Sequence, residues 1–301
     1  MLSQQQKDFY AENGYLMIEN AVTQEQLERL RDITTRLIEE SRAVSESNDV
    51  YDLDAGHSAN APRLTRIKIP HKQDPYFWEV LRHSMMTRVL NDLLGPDTTI
   101  LTSKLNTKAP GGGRAVEWHQ DWMFYPHTND DLLAFGLMLE DVDEENGPLM
   151  VVPGTHRGPL LDHTANGYFA GAIDPKDPLF EKDRIVTLTG KAGSMTVHHA
   201  RLLHGSAPNM SDRTRKILFY ECASADAWPI LGSNSYFHAL GQRKFWEDLK
   251  DRTITGSPCL TPRLEKVPVV MPMPPAPDTG SIFKTQESAG AKSAFAGAAD
   301  E

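Results

Sequence analysis

Two cysteines in 301 residues, Cys222 and Cys259, are too few for a disulfide framework and lack the paired spacing of a thiolate metal site. Both are expected to be reduced, so a metal here would take nitrogen and oxygen ligands, which suits iron, manganese or zinc rather than an iron–sulfur cluster. Positive charge is also short. Lysine and arginine number 31 against 41 acidic residues, a formal charge of −10, and no basic field exists to hold a nucleic-acid backbone. No apolar run is long enough to span a bilayer, and Met1 to Lys7 is polar rather than a charged stretch leading into an apolar one. No internal repeat is present. Gly111-Gly112-Gly113 is followed by neither Gly-Lys-Ser/Thr nor a helix, so it reads as a turn and not as a phosphate cradle. These absences leave a soluble cytoplasmic enzyme with a small-molecule substrate, with neither nucleic acid nor membrane as partner and with its oligomeric state open.

What is present builds in sequence order. Ser3 caps a helix over 4–12 that Gly14 ends, and 15–18 reads as a strand. Thr23 and Gln26 form a capping box ahead of Leu27, Leu30, Ile33, Leu37 and Ile38 at helical spacing. Residues 41–75 are polar and irregular, a long loop carrying Arg66 and Lys68 beside apolar residues, and a second amphipathic helix runs from Phe77 to Leu94 before Gly95-Pro96. From there the texture changes to short apolar segments at 99–106, 116–122, 132–139, 149–152, 185–189, 194–198 and 216–222, the pattern of a β sandwich or jelly roll. Asn146-Gly147 supplies the chemistry of a hairpin turn. The expected organisation is one domain over 1–267, with helical support at 1–98, a β core at 99–224 and an extension at 225–267, followed by a Pro/Ala-rich, extended or disordered tail at 268–301.

Within that frame His119 and Asp121 stand two apart in an expected strand and therefore share a face. His204, in Leu203-His204-Gly205-Ser206, is the best candidate for a third ligand, although His156, His198 and His199 are as eligible by residue type. Arg215, 11 residues after His204, favours the first choice. Two imidazoles and one carboxylate leave open positions on a metal, the arrangement used by non-haem Fe(II) oxygenases. A 2-oxo acid and dioxygen would fill those positions, and an arginine fork would pair with the acid's remote carboxylate. Arg215 shares its strand face with Ile217 and Phe219, and Ser206 could add a hydroxyl.

Trp118-His119-Gln120-Asp121, Asn146-Gly147-Pro148-Leu149 running into Val152-Pro153-Gly154-Thr155-His156-Arg157-Gly158, and His204-Gly205-Ser206 followed by Asn209 and Arg215 resemble the phytanoyl-CoA dioxygenase family. The resemblance implies a mostly β, double-stranded β-helix (cupin-like jelly roll) core and a reaction using Fe(II), 2-oxoglutarate and O2. It implies that His119, Asp121 and His204 hold iron, that Arg215 pairs with 2-oxoglutarate, and that Ser206, Gln120 and one of Arg66 and Lys68 are further cosubstrate contacts. An aromatic that some members place beside the cosubstrate falls on Leu137 here. With Asp121 intact, hydroxylation is expected over halogenation.

For the substrate, Trp122, Phe124 and Tyr125 follow the metal segment, Asn106 precedes it, and His71 and Trp228 are expected to flank the mouth. Arg157, Lys176, Lys182 and Arg184 are scattered rather than clustered for coenzyme A phosphates, which favours a small polar or anionic metabolite over an acyl-CoA. A cupin-like binding protein or a metal-dependent isomerase are the readings from other classes.

Overall fold

Two capping boxes start the chain: Ser3 with Gln6 opens α1 (Gln4–Asn13) and Thr23 with Gln26 opens α2 (Gln24–Glu40). The computed structural model describes residues 1–230, 247–270, 274–276 and 282–295. Gly14, at φ 78°, ends α1 in the left-handed region, and a Cβ there would lie 2.5 Å from His156 Nδ1, so glycine alone lets the chain turn into β1 (Tyr15–Ile18).

The loop expected over 41–75 contains two strands, β2 (Tyr51–Leu53) and β3 (Leu64–Lys68), followed by the short helix α3 (Pro70–Gln73). Both strands are short and lie among turn residues, which hides their alternation. The single helix expected over 77–94 is two, α4 (Tyr76–Arg82) and α5 (Met85–Leu93). They break at His83-Ser84, where the Ser84 hydroxyl accepts from Met86 N at 3.2 Å and competes with a continuous ladder.

The β core follows as β4 (Thr98–Lys108), β5 (Val116–His119), β6 (Leu132–Met138), β7 (Leu149–Val151), the small pair β8 (Thr164–Ala165) and β9 (Tyr168–Phe169), β10 (Val186–Leu188), β11 (Met195–His199), β12 (His204–Ser206), β13 (Arg215–Ser224) and β14 (Thr253–Thr255). All seven expected strands are there. The larger sheet runs β1-β11-β6-β13-β4-β3-β2 with β14 also on β4, and the smaller runs β10-β7-β12-β5, every pairing antiparallel. This is the jelly roll with flanking helices that the sequence predicts. Asn146-Gly147 closes no hairpin: β6 lies in the larger sheet and β7 in the smaller, so the turn carries the chain from one to the other.

Alternation sorts the larger sheet into two faces. Leu105, Leu133, Phe135, Leu137, Leu218 and Tyr220 pack with α2, α4 and α5 in the main core, and Tyr220 donates to Phe77 O at 2.7 Å. Lys104, Asn106, Lys108, Ala134, His198, Arg215, Ile217 and Phe219 line a cavity on the opposite face, against the smaller sheet. Leu137 therefore points away from that cavity, and Ala134 rather than Leu137 faces it from β6.

The Pro/Ala-rich end is not wholly extended. Ile282–Ser288 is a helix, and the chain beyond it covers β5, the outer strand of the smaller sheet. Gln286 accepts from Glu117 N at 3.1 Å and donates to Gly171 O at 3.0 Å. Ser293 Oγ and Ala294 N bind the Glu117 carboxylate, and Phe295 stacks on Trp118. The remainder of the expected tail, at 271–273, 277–281 and 296–301, lies outside the described residues. Among the described residues no helix is long and apolar enough to cross a membrane, and both cysteines are free.

Candidate active site

Strand β5 stops at His119, and Asp121 opens a one-turn 3₁₀ helix, Asp121–Met123, instead of continuing the expected strand to 122. Gln120 between them keeps extended angles, φ −115° and ψ 120°, so alternation carries one residue past the ladder and His119 and Asp121 still share a side. Strand β12 pairs His204 directly with His119. One ligand atom from each of His119, Asp121 and His204 lies within 4.8 Å of the other two, and the three residues are 3–5% exposed.

The proton positions suit a metal. His119 Nδ1 faces Glu117 O at 2.8 Å and His204 Nδ1 faces Leu202 O at 2.9 Å. A carbonyl only accepts, so each Nδ1 carries a hydrogen, and Nε2 is the atom each ring turns inward, where it can give a lone pair to a metal. Those nitrogens face Asp121 Oδ1 at 3.5 and 3.9 Å. Burial raises the Asp121 carboxyl, but His204, His119, His198 and Lys104 outweigh it and hold the group well below the usual carboxylate range. Burial, and then His119, push the His204 imidazole well below its ordinary value. Two imidazole nitrogens and a carboxylate oxygen thus converge, a donor set that fits a divalent cation.

The competing histidines separate by partner. His156 is tied to Ala11 O at 3.2 Å, and the ring of His199 lies tilted against His156, 5.2 Å between centroids. His198 does line the cavity, with Nε2 3.6 Å from Asp121 Oδ2, the carboxylate oxygen turned away from the other two rings.

His163, which the sequence reading did not single out, fixes the segment between the two ligands. Its Nδ1 donates to Leu161 O at 2.9 Å and its Nε2 accepts from Gln120 N at 2.8 Å. Burial brings its pKa down to about 4, so the acceptor persists at neutral pH. Replacing His163 by Leu is expected to weaken metal binding by about 10- to 100-fold, the usual cost of losing an outer-shell partner, as read by metal titration of the apoprotein.

Deep in the same cavity Arg215 is 2% exposed; its Nε donates to Gly147 O at 3.1 Å and its Nη2 binds the same oxygen. Burial lowers the guanidinium to about 9, which leaves it charged at neutral pH. Beside it lies Lys108, also 2% exposed and, like His163, absent from the sequence reading; its Nζ donates to Ser206 Oγ at 2.8 Å. Among the described residues neither cation has a carboxylate within ion-pair distance.

Gly147 shapes this end. At φ 79° it occupies the left-handed region, and a Cβ on it would lie 2.6 Å from Ala207 O and 3.1 Å from Lys108 Nζ.

A wider cleft of about 480 Å³ opens on the other side of Asp121, and Phe124, Tyr125, Arg66, Lys68 and Lys104 border it. Of the residues expected around the substrate, Phe124 and Tyr125 are therefore at the cleft and Asn106 is in the inner cavity. His71 is buried behind the wall, with Nδ1 2.6 Å from Ser103 Oγ. Trp122 is in a core cluster with Nε1 donating to Pro268 O, and Trp228 lines a separate apolar pocket with Nε1 donating to Cys259 O, so neither flanks the mouth. Gln120 departs from its expected place as well. Standing one residue out of phase with both ligands, it donates to Arg201 O at 2.9 Å and accepts from Leu161 N at 2.9 Å, away from the cavity. Arg66 and Lys68 are at the cleft and not beside Arg215; both pair with Asp52, at 2.7 and 2.9 Å. Ile282 of the C-terminal helix borders the cavity and the cleft alike.

The sequence matches the model of the family described as Phytanoyl-CoA dioxygenase (PhyH) over residues 10–217. A probable alpha-ketoglutarate-dependent hypophosphite dioxygenase of Stutzerimonas stutzeri is 32% identical over 292 residues, covering 96% of this chain and 98% of that protein. An ectoine dioxygenase of Bordetella parapertussis is 27% identical over 235 residues, covering 72% of this chain and 74% of that one. The crystal structure of EctD from S. alaskensis with bound Fe superposes with a TM-score of 0.62 at 24% identity, over 74% of this chain and 77% of the other, which shows the shared fold. The chain belongs to the phytanoyl-CoA dioxygenase family and is an Fe(II)- and 2-oxoglutarate-dependent dioxygenase.

Proposed function

We propose that this dioxygenase hydroxylates a small anionic metabolite, with His119, Asp121 and His204 holding Fe(II) and with Arg215 and Ser206 binding the remote carboxylate of 2-oxoglutarate. The observation that carries the reading is one cavity bounded by the three converging donors and, deeper in, by a buried guanidinium that has no carboxylate within ion-pair distance among the described residues. Fe(II) bound there supplies the oxygen-activating chemistry by which 2-oxoglutarate becomes succinate and CO2 and the substrate gains a hydroxyl. The chain's own task is placement. The Nδ1 bonds to Glu117 and Leu202 orient the two imidazoles, and the Gly147 carbonyl aims Arg215.

The anionic assignment rests on the cleft. Arg66 and Lys68 share one carboxylate, Asp52, while Lys104 pairs with Glu221 at 2.7 Å, so with Asp121 committed to the metal the wall carries three cations against two carboxylates. Arg157 and Arg184 border a different hollow, and Lys176 and Lys182 are exposed elsewhere, which disfavours an acyl-CoA. The S. stutzeri relative supports the small anion, since its name gives hypophosphite as the substrate, and it makes a P–H bond the second reading beside a C–H bond. Free thiols at Cys222 and Cys259 favour a reducing, cytoplasmic setting.

A turnover screen tests this. With Fe(II), 2-oxoglutarate and air, succinate should form with a member of a panel of small carboxylates, amino acids, organophosphonates and hypophosphite. Succinate formation driven by acyl-CoA thioesters alone would overturn the substrate class.

A further inference from the structure

We propose that Lys108 is a second cationic anchor for the remote carboxylate of 2-oxoglutarate, sharing it with Arg215 and so setting the enzyme's preference for a dicarboxylic over a monocarboxylic 2-oxo acid. This rests on the reading that 2-oxoglutarate occupies the inner cavity.

The backbone brings the two cations together. On β4 the residues Lys104, Asn106 and Lys108 alternate onto the cavity face, and Lys108 is the register partner of Arg215 on β13. Both side chains are almost wholly buried. Two like charges held side by side out of water, with no carboxylate within ion-pair distance among the described residues and with Glu117 acting on Lys108 only from further off, form an unfavourable arrangement that a bound anion relieves. Among the described residues the Lys108 ammonium has only neutral acceptors, namely Ser206 Oγ at 2.8 Å, Ser206 O at 3.2 Å and Ala207 O. Burial, and next the neighbouring Arg215, push its pKa well below the ordinary lysine value. Ser206 completes the site, because its oxygen accepts from Lys108 and leaves the hydroxyl hydrogen for the ligand. The turn leaves room as well: a Cβ on Gly147 would meet Ala207 O at 2.6 Å and crowd Lys108 Cδ and Nζ at 3.0 and 3.1 Å.

A purely structural lysine, bracing Ser206 and Ala207, would affect all 2-oxo acids alike. An anchor discriminates. Titrating 2-oxoglutarate and 2-oxobutyrate, which lacks the second carboxylate, calorimetrically into the Zn(II)-loaded protein separates these roles without turnover. In Lys108→Met, 2-oxoglutarate should bind at least about tenfold more weakly while 2-oxobutyrate changes less than about twofold. Lys108→Gln retains a hydrogen-bond donor toward Ser206 and Ala207 and should show the same loss of selectivity; it decides the matter if the Met variant does not fold. Equal weakening of both acids, or unchanged selectivity in the Gln variant, would overturn the role of Lys108. If the unsubstituted protein binds neither acid, the cosubstrate reading of the cavity fails, an outcome distinct from failure of the lysine assignment and one that also removes its basis.

Discussion

Asp121→Ala protein should bind Fe(II) more weakly by well over the roughly 100-fold that loss of an outer-shell partner costs, and should form no measurable succinate. The reason is electrostatic as much as geometric. Asp121 is the only carboxylate among the three converging donors, and His204, His119, His198 and Lys104 together hold it ionised against its burial. Removing it leaves two neutral imidazoles to bind a dication in a buried site, without the negative charge that offsets desolvation. Metal content after dialysis against a buffered Fe(II) or Zn(II) pool reads the effect. Retention of wild-type metal affinity would place the metal elsewhere. His163→Leu, a milder variant, should fall between the two because it loosens only the Gln120 backbone.

The second large effect is expected from Gly147→Ala, a residue that bears no functional group. A non-glycine residue at φ 79° costs about 1–2 kcal/mol, and the new methyl would meet Ala207 O at 2.6 Å. The carbonyl of the same residue holds Arg215, and the same methyl crowds Lys108, so relief of the clash displaces both cations. A misplacement of about 1 Å at such a site can cost on the order of 10²-fold. The 2-oxoglutarate dissociation constant should therefore rise by about 10- to 100-fold, with metal affinity changed far less because no ligand touches the turn. Equal loss of metal and 2-oxoglutarate binding would mean general unfolding rather than a local shift; circular dichroism of the same sample distinguishes the two.

The legibility of this protein in its sequence follows the range of the interactions. The seven core strands were readable because each is a short apolar run between turn residues, and the capping boxes at Ser3 and Thr23 are local chemistry. The His119 and Asp121 pairing was readable for nearly the right reason: the strand ends early, yet Gln120 stays extended and preserves the phase. Lys108 was missed because its meaning depends on register with Arg215 across 107 residues of chain, counting 215 − 108. Its signal was present in the alternation of Lys104, Asn106 and Lys108 along an apolar-backed strand. Gln120 went to the wrong place because adjacency to a ligand does not carry it to the ligand's face. Trp122 and Trp228 were assigned to a mouth by residue type, while both indole N–H groups in fact satisfy backbone carbonyls in packed surroundings. The helix within the Pro/Ala-rich end escaped notice because its seven residues have little helical signal of their own and are held by Glu117 of β5 and Gly171 of the loop after β9.

The central claim is that iron and 2-oxoglutarate meet in the cavity between His119, Asp121, His204 and Arg215. Its most direct test is the visible absorption of the anaerobic protein as Fe(II) and then 2-oxoglutarate are added. A charge-transfer band should appear only when both are present, should be lost in Asp121→Ala, and should require higher 2-oxoglutarate in Gly147→Ala. Absence of the band in the unsubstituted protein, or its persistence unchanged in Asp121→Ala, would contradict the claim.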